Sequence, residues 1–163
     1  MTSRVRQKVE TFVTVLKEIA QLSTASKLKV GAISLHWQFQ KIASFGYNGS
    51  YPGAVTFLET GTEEESLEPG YSGFIHAEVN MIAKFREHNP EDYIIILTHS
   101  PCNVCSKVLA NAGFRYVYWL SEYRETSHLS MFTQLGIQHG NVEDLIVNYP
   151  EIVKQKVVNN FFH

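Results

Sequence analysis

"YIIILTHSPCNVCSKVLANAG" (residues 93–113) sets the architecture of this chain. Its first part, Tyr93 to Ser100, is an apolar, β-branched run of the kind found in strands buried on both faces of a sheet. Pro101 then stands where a helix begins, and Gly113 where one ends. The stretch therefore reads as a buried strand feeding directly into a helix.

Upstream, Val5, Val9, Phe12, Leu16 and Ile19 recur at helical spacing and predict an amphipathic helix over residues 4–22. "KVGAISL" and "KIASFGYN" are β-rich runs separated by "HWQFQ", which predicts an antiparallel hairpin. "FIHAEVNMIAKF" (74–85) carries Ile75, Val79, Ile82 and Phe85 at intervals of three and four, the pattern of one buried helical stripe running on toward Pro90. Downstream, "RYVYWLS" reads as a strand, "SHLSMFTQLG" as a short helix and "IQHG" as a last strand. The tail from Val142 is mildly amphipathic, with Pro150 interrupting it. No internal repeat is visible. The order α-β-β-α-β-α-β-α-β predicts a single domain over 1–163, a three-layer α/β/α fold on a mixed sheet of about five strands. Between the hairpin and the second helix, residues 48–73 are rich in Gly, Pro, Thr, Ser and Glu. Five glutamates fall from Glu59 to Glu68. That connection is either a solvated acidic loop or a functional one.

Composition narrows the class. Fourteen Lys and Arg against 16 Asp and Glu give a formal charge of −2, which offers no footprint for long nucleic acid. No run of about 18 apolar residues predicts a membrane span, and the N-terminus lacks the apolar centre of a signal peptide. The expectation is a cytoplasmic enzyme. The two cysteines, Cys102 and Cys105, are too few for a disulfide framework; at this spacing they form a redox pair or metal ligands.

His76 decides between those two. Zinc prefers nitrogen and sulfur donors in a tetrahedron, and a catalytic site takes three from the protein. Cys102 and Cys105 sit one helical turn apart at a predicted helix start, where the positive end of the helix favours thiolates. His76 stands at the start of the preceding helix and completes the set, one Zn²⁺ per chain. Glu78, two residues on, can point into the same pocket without being a ligand and move protons for hydrolysis. His-x-Glu combined with Pro-Cys-x-x-Cys is the signature of zinc nucleobase deaminases. The other histidines (His36, His88, His99, His128, His139 and His163) lack such spacing. His99 alone lies beside the cysteines, where it reads as packing or lining the cleft.

Beyond these two motifs, "GYNGSYPGA" (46–54), "HAEVNMI" (76–82), "SPCNVCSKVLANAG" (100–113) and "VYWLSEYRE" (117–125) resemble the deoxycytidylate (dCMP) deaminases of the cytidine deaminase superfamily. The resemblance spans about Lys29 to Gly136. It implies a cytidine deaminase-like fold and hydrolysis of dCMP to dUMP and ammonia, supplying thymidylate synthesis. It implies attack at C4 of the ring, with Glu78 protonating N3 and then the departing amine. Substrate contacts carry over to Asn48, to Ala77 and Ser100 by their backbone, and to Tyr123 beside the base. Asn80 would brace the site or touch substrate. Ser26, Lys27 and Lys29, ahead of the first strand, are the candidates for the 5′-phosphate. The resemblance also implies a homohexamer activated by dCTP and inhibited by dTTP. The effector, with Mg²⁺, would lie at Gly46, Tyr47, Asn48 and Gly49, where glycine lets backbone approach a triphosphate. One departure is plain: there is no other cysteine, and no histidine lies between His36 and His76, so a second, structural zinc is not expected.

The rivals are a tRNA adenosine deaminase, a free-base or nucleoside deaminase of the same superfamily, and a zinc-stabilised binding module without catalysis. The first calls for a basic RNA-binding face, which the net charge does not supply. The second leaves the lysine-bearing loop without a phosphate, and the third leaves Glu78 without a task.

Overall fold

The apolar run around Ile95 becomes the middle strand of the sheet. The computed structural model describes residues 2–50, 73–123 and 125–162. In chain order these form α1 (Thr2–Ala20), β1 (Gly31–His36), β2 (Ile42–Tyr47), α2 (Ala77–Lys84), β3 (Tyr93–His99), α3 (Asn103–Asn111), β4 (Tyr116–Ser121), α4 (Ser130–Gln134), β5 (Gln138–Asn141) and α5 (Val142–Phe162). The strand order is β2-β1-β3-β4-β5. β1 runs antiparallel to both β2 and β3, while β3, β4 and β5 are parallel. Parallel neighbours need crossovers, and α3 and α4 supply them.

Alternate residues of β3 enter two separate cores, as the two-residue side-chain period of a strand requires. Ile94 and Ile96 join Val9 and Leu16 of α1 and Leu145 and Ile152 of α5. Ile95 and Leu97 join Ala77 and Met81 of α2, Leu109 of α3 and Phe132 of α4. The sheet is therefore the middle of three layers, as the sequence predicts.

Three local expectations change. The stripe on α2 is rotated: Ala77, Glu78 and Met81 are the buried residues, while Ile75, Val79, Ile82 and Phe85 are half-buried. The helix also stops at Lys84, well short of Pro90. Phe85 adopts an extended backbone, and its ring meets Tyr93 and Phe114 edge-on at 5.1 Å each. Aromatic capture ends the helix where propensity would have continued it.

The third change is in the tail, which continues as one helix through Pro150. A proline inside a helix costs about 3 kcal/mol, so something must hold both sides of it. On one side the Tyr149 hydroxyl donates to the Trp37 carbonyl at 2.9 Å. On the other, Ile152 is buried, and the buried Lys156 ammonium meets Asp92 at 2.8 Å and the Glu91 carbonyl. The acidic connection predicted over 48–73 falls, from 51 to 72, outside the described residues.

Strand directions gather the candidate residues. The carboxyl ends of β3 and β4, the carboxyl end of β2 and the amino end of β1 all lie at one end of the sheet. Residues 23–30, Asn48, His76, Ser100–Cys105 and Tyr123 therefore share that end.

Candidate metal centre

Two helix starts face each other at this end. His76 caps α2 with an extended backbone, and an isolated bridge between Gly49 and Ile75 pins the residue before it. Cys102 caps α3, its sulfur accepting the Cys105 backbone N–H at 3.4 Å. In an ordinary cap an oxygen takes this orphan N–H; here a thiol does. The Ser106 hydroxyl donates to the Cys102 carbonyl at 2.8 Å and fixes the turn between the two cysteines.

The imidazole comes to meet both sulfurs. His76 Nδ1 lies 3.3 Å from Cys105 Sγ and 3.5 Å from Cys102 Sγ, and the three donor atoms fall within 4.8 Å of one another. Zinc bonds of about 2.0–2.1 Å to nitrogen and about 2.3 Å to sulfur give a tetrahedral N···S edge of about 3.6 Å. The donor set and its spacing therefore fit zinc. Among the described residues this is the one such grouping of His, Cys, Asp and Glu.

The protonation pattern suits cation capture. The hydrogen bond from Cys105, then that with His76, draws the Cys102 thiol down to about 4. The same pairing with Cys102, together with burial, pushes Cys105 up. The bond to Cys102 also raises His76. Cys102 thus favours the thiolate, and a bound cation displaces protons from the other donors.

Glu78 sits in the first turn of α2, two residues after His76, and is only 4% exposed. Burial pushes its carboxyl above the usual carboxylate range, although His76 nearby opposes this. A carboxyl held in that state beside a metal site can both take and return protons.

The other expected residues divide into groups. Ser100 is buried, its hydroxyl accepting the Tyr123 N–H at 2.6 Å and its own N–H donating to the Ser121 carbonyl at 2.9 Å. Ala77 is buried at the first turn of α2. Asn80 braces the site, donating to the Tyr47 carbonyl at 2.9 Å. The Asn48 amide accepts from Val30 N at 2.8 Å and donates to Leu28 O at 2.8 Å. It thereby fastens the loop that carries Ser26, Lys27 and Lys29, all three exposed.

Gly46 is explained by packing. A Cβ there would stand 2.2 Å from the Ala77 carbonyl oxygen and 2.5 Å from Met81 N, so only glycine lets β2 approach α2. At Gly49, by contrast, nothing lies within 4 Å of such an atom. Tyr47 is half-buried, with the Lys84 ammonium 5.8 Å from its ring centre. His99 is a packing residue: its Nδ1 is 3.0 Å from Thr98 Oγ1, and burial lowers its pKa. Sequence reasoning missed Ser106, whose place four residues after Cys102 was the available signal, and His128, which has none.

The sequence model of the cytidine and deoxycytidylate deaminase zinc-binding region matches residues 6–121. The chain belongs to this family. Zinc is accordingly the cation that the His76–Cys102–Cys105 set fits. ComE operon protein 2 of Bacillus subtilis is 31% identical over 128 residues, covering 77% of this chain and 66% of its own length. Deoxycytidylate deaminase of Mus musculus is 30% identical over 115 residues, covering 69% and 64%. The dCMP deaminase of cyanophage S-TIM5, solved in complex with dCMP and dUMP, superposes with a TM-score of 0.67 at 32% identity. That match covers 81% of this chain and 94% of the phage protein. This chain thus spans about two thirds of the length of the first two relatives and nearly all of the third.

Proposed function

We propose that this chain hydrolyses dCMP to dUMP and ammonia. The observation that carries the reading is Glu78, a buried carboxyl beside three convergent zinc donors. The likeness to a phage protein that holds dCMP and dUMP supports a cytosine nucleotide as substrate.

Zinc held by His76, Cys102 and Cys105 supplies Lewis acidity that makes water a nucleophile near neutral pH. Glu78 accepts a proton from the attacking water, delivers it to N3 of the ring and carries the second to the departing amine. The balance is one water consumed and one ammonia released. The Ala77 N–H lies in the first turn of α2, where helix N–H groups have no intrahelical partner, and donates to the ring carbonyl. The Ser100 N–H is already taken, so its carbonyl faces the amine. Asn48 retains a second amide hydrogen for substrate while holding the 28–30 turn. Tyr123 borders the base, and Ser26, Lys27 and Lys29 receive the 5′-phosphate.

Regulation belongs to the same reading. dCTP activates and dTTP inhibits, bound with Mg²⁺ at the Tyr47–Asn48–Gly49 turn of a cytoplasmic homohexamer that supplies dUMP. Asn48 supports this, because one side chain joins that turn to the loop assigned to the phosphate. The test is deamination of dCMP, CMP, deoxycytidine and a tRNA anticodon stem, each with and without dCTP or dTTP. Turnover confined to dCMP, raised by dCTP and lowered by dTTP, is expected. Turnover of the nucleoside or the RNA in preference to dCMP overturns the substrate assignment, and indifference to both triphosphates removes the regulatory part.

A further inference from the structure

Residues immediately before Cys102 are gripped twice by the segment that follows β4. The Tyr123 N–H donates to Ser100 Oγ at 2.6 Å, and His128 Nε2 lies 2.8 Å from the Pro101 carbonyl oxygen. Consecutive residues of the metal-site turn are thus tied to two points five residues apart on the next loop. His128 itself is well anchored. It lies in a short 3₁₀ turn, Ser127–Leu129, and Leu129 is buried in the core with Phe132.

We infer that His128 is a positioning residue for the zinc site, acting through the Pro101 carbonyl on Cys102. The physical reason is the planarity of the peptide group. The Pro101 carbonyl and the Cys102 nitrogen belong to one rigid plane, and the Cys102 Cα hangs from it. Gripping the oxygen fixes that plane. Ser106, the other donor near it, is 3.5 Å away and spends its hydroxyl on the Cys102 carbonyl at 2.8 Å. His128 is therefore the short bond that sets the plane. Without it, a swing of about 20° would carry a sulfur about 2.8 Å from its Cα through about 1 Å, against a tolerance of about 0.2 Å for a metal bond. Groups that orient metal ligands change metal affinity about 10–100-fold when removed.

The inference rests on zinc binding by His76, Cys102 and Cys105 but not on any substrate assignment, and it is tested without turnover. Zinc dissociation constants are measured by chelator competition on the full chain for wild type, His128→Leu and His128→Gln, with circular dichroism as the check on folding. The glutamine amide nitrogen can take the place of Nε2 as a donor; leucine cannot. His128→Leu is expected to bind zinc about tenfold more weakly with an unchanged spectrum, and His128→Gln to stay within about threefold of wild type. Cobalt(II) in the leucine variant should show an altered thiolate charge-transfer band. Equal zinc affinity in His128→Leu and wild type overturns the inference, as does a glutamine variant as weak as the leucine one. If the leucine variant does not fold, His128→Asn, whose amide is too short to reach Pro101, takes its place under the same criteria. A wild-type chain that binds no zinc would sink the metal reading itself, a distinguishable result.

Discussion

Gly46→Ala tests how the site is held together. The added Cβ would stand 2.2 Å from the Ala77 carbonyl, where side-chain carbons essentially never come closer than 3.0 Å, so α2 and β2 must part by about 0.8 Å. β2 is fixed by its ladder to β1, with Ala32 opposite Gly46, so the helix is the element that moves. α2 is capped by His76 and carries Glu78, and a shift of that size exceeds the roughly 0.2 Å that a metal bond tolerates. Overpacking of a tight contact costs about 1–3 kcal/mol. For a domain of this size, about 2 kcal/mol lowers the melting temperature by about 4–8 °C. Differential scanning calorimetry and zinc titration of the purified variant should show both the lower melting point and weaker zinc binding. A variant that melts within about 1 °C of wild type and binds zinc equally well would refute the packing explanation. If it had also lost its response to dCTP and dTTP, the glycine would instead belong to a nucleotide site.

Glu78→Gln keeps the shape of the side chain and removes the titrating oxygen. Zinc content and melting temperature should be close to wild type while kcat on dCMP falls about 10²–10⁴-fold; near-normal turnover would exclude Glu78 as the proton carrier. Metal analysis should give one zinc per chain, and zinc at about 100 times its dissociation constant should stabilise the chelator-treated protein by about 2.7 kcal/mol. No change in melting on adding zinc would count against a preformed site. Burial lowers His36 below its ordinary 6.5. The unfolded chain therefore binds the extra proton first, and stability present above that value is lost as pH falls through it. Urea midpoints should drop from pH 7.5 to 5.5, and less so in His36→Gln; equal drops would remove His36 as a cause.

Much of the molecule is legible in one dimension. The middle strand, the hairpin, the crossover helix and the layer order follow from local periodicity, because each element must bury an apolar face whatever lies opposite. His76, Glu78, Cys102 and Cys105 are legible for a similar reason: donor chemistry and helix-start spacing constrain them before any packing is known. Their meeting is a different matter. His76 is 26 residues from Cys102, and only the fold, which sets β3 beside β1 and packs α2 over β2 and β1, brings Nδ1 within 3.5 Å of Sγ.

Residue chemistry and local periodicity, then, mark the three metal donors and the segments that form strands and helices. Tertiary structure alone decided the rest: the end of α2 at Lys84, the passage of α5 through Pro150, the need for glycine at position 46, and the place of His128 against Pro101. Each of these depends on atoms from distant parts of the chain arriving at one point. Aromatic contacts, a buried ammonium, a steric limit and a hydrogen bond to a carbonyl leave no periodic mark in the sequence, because their partners are set by the fold and not by spacing along the chain.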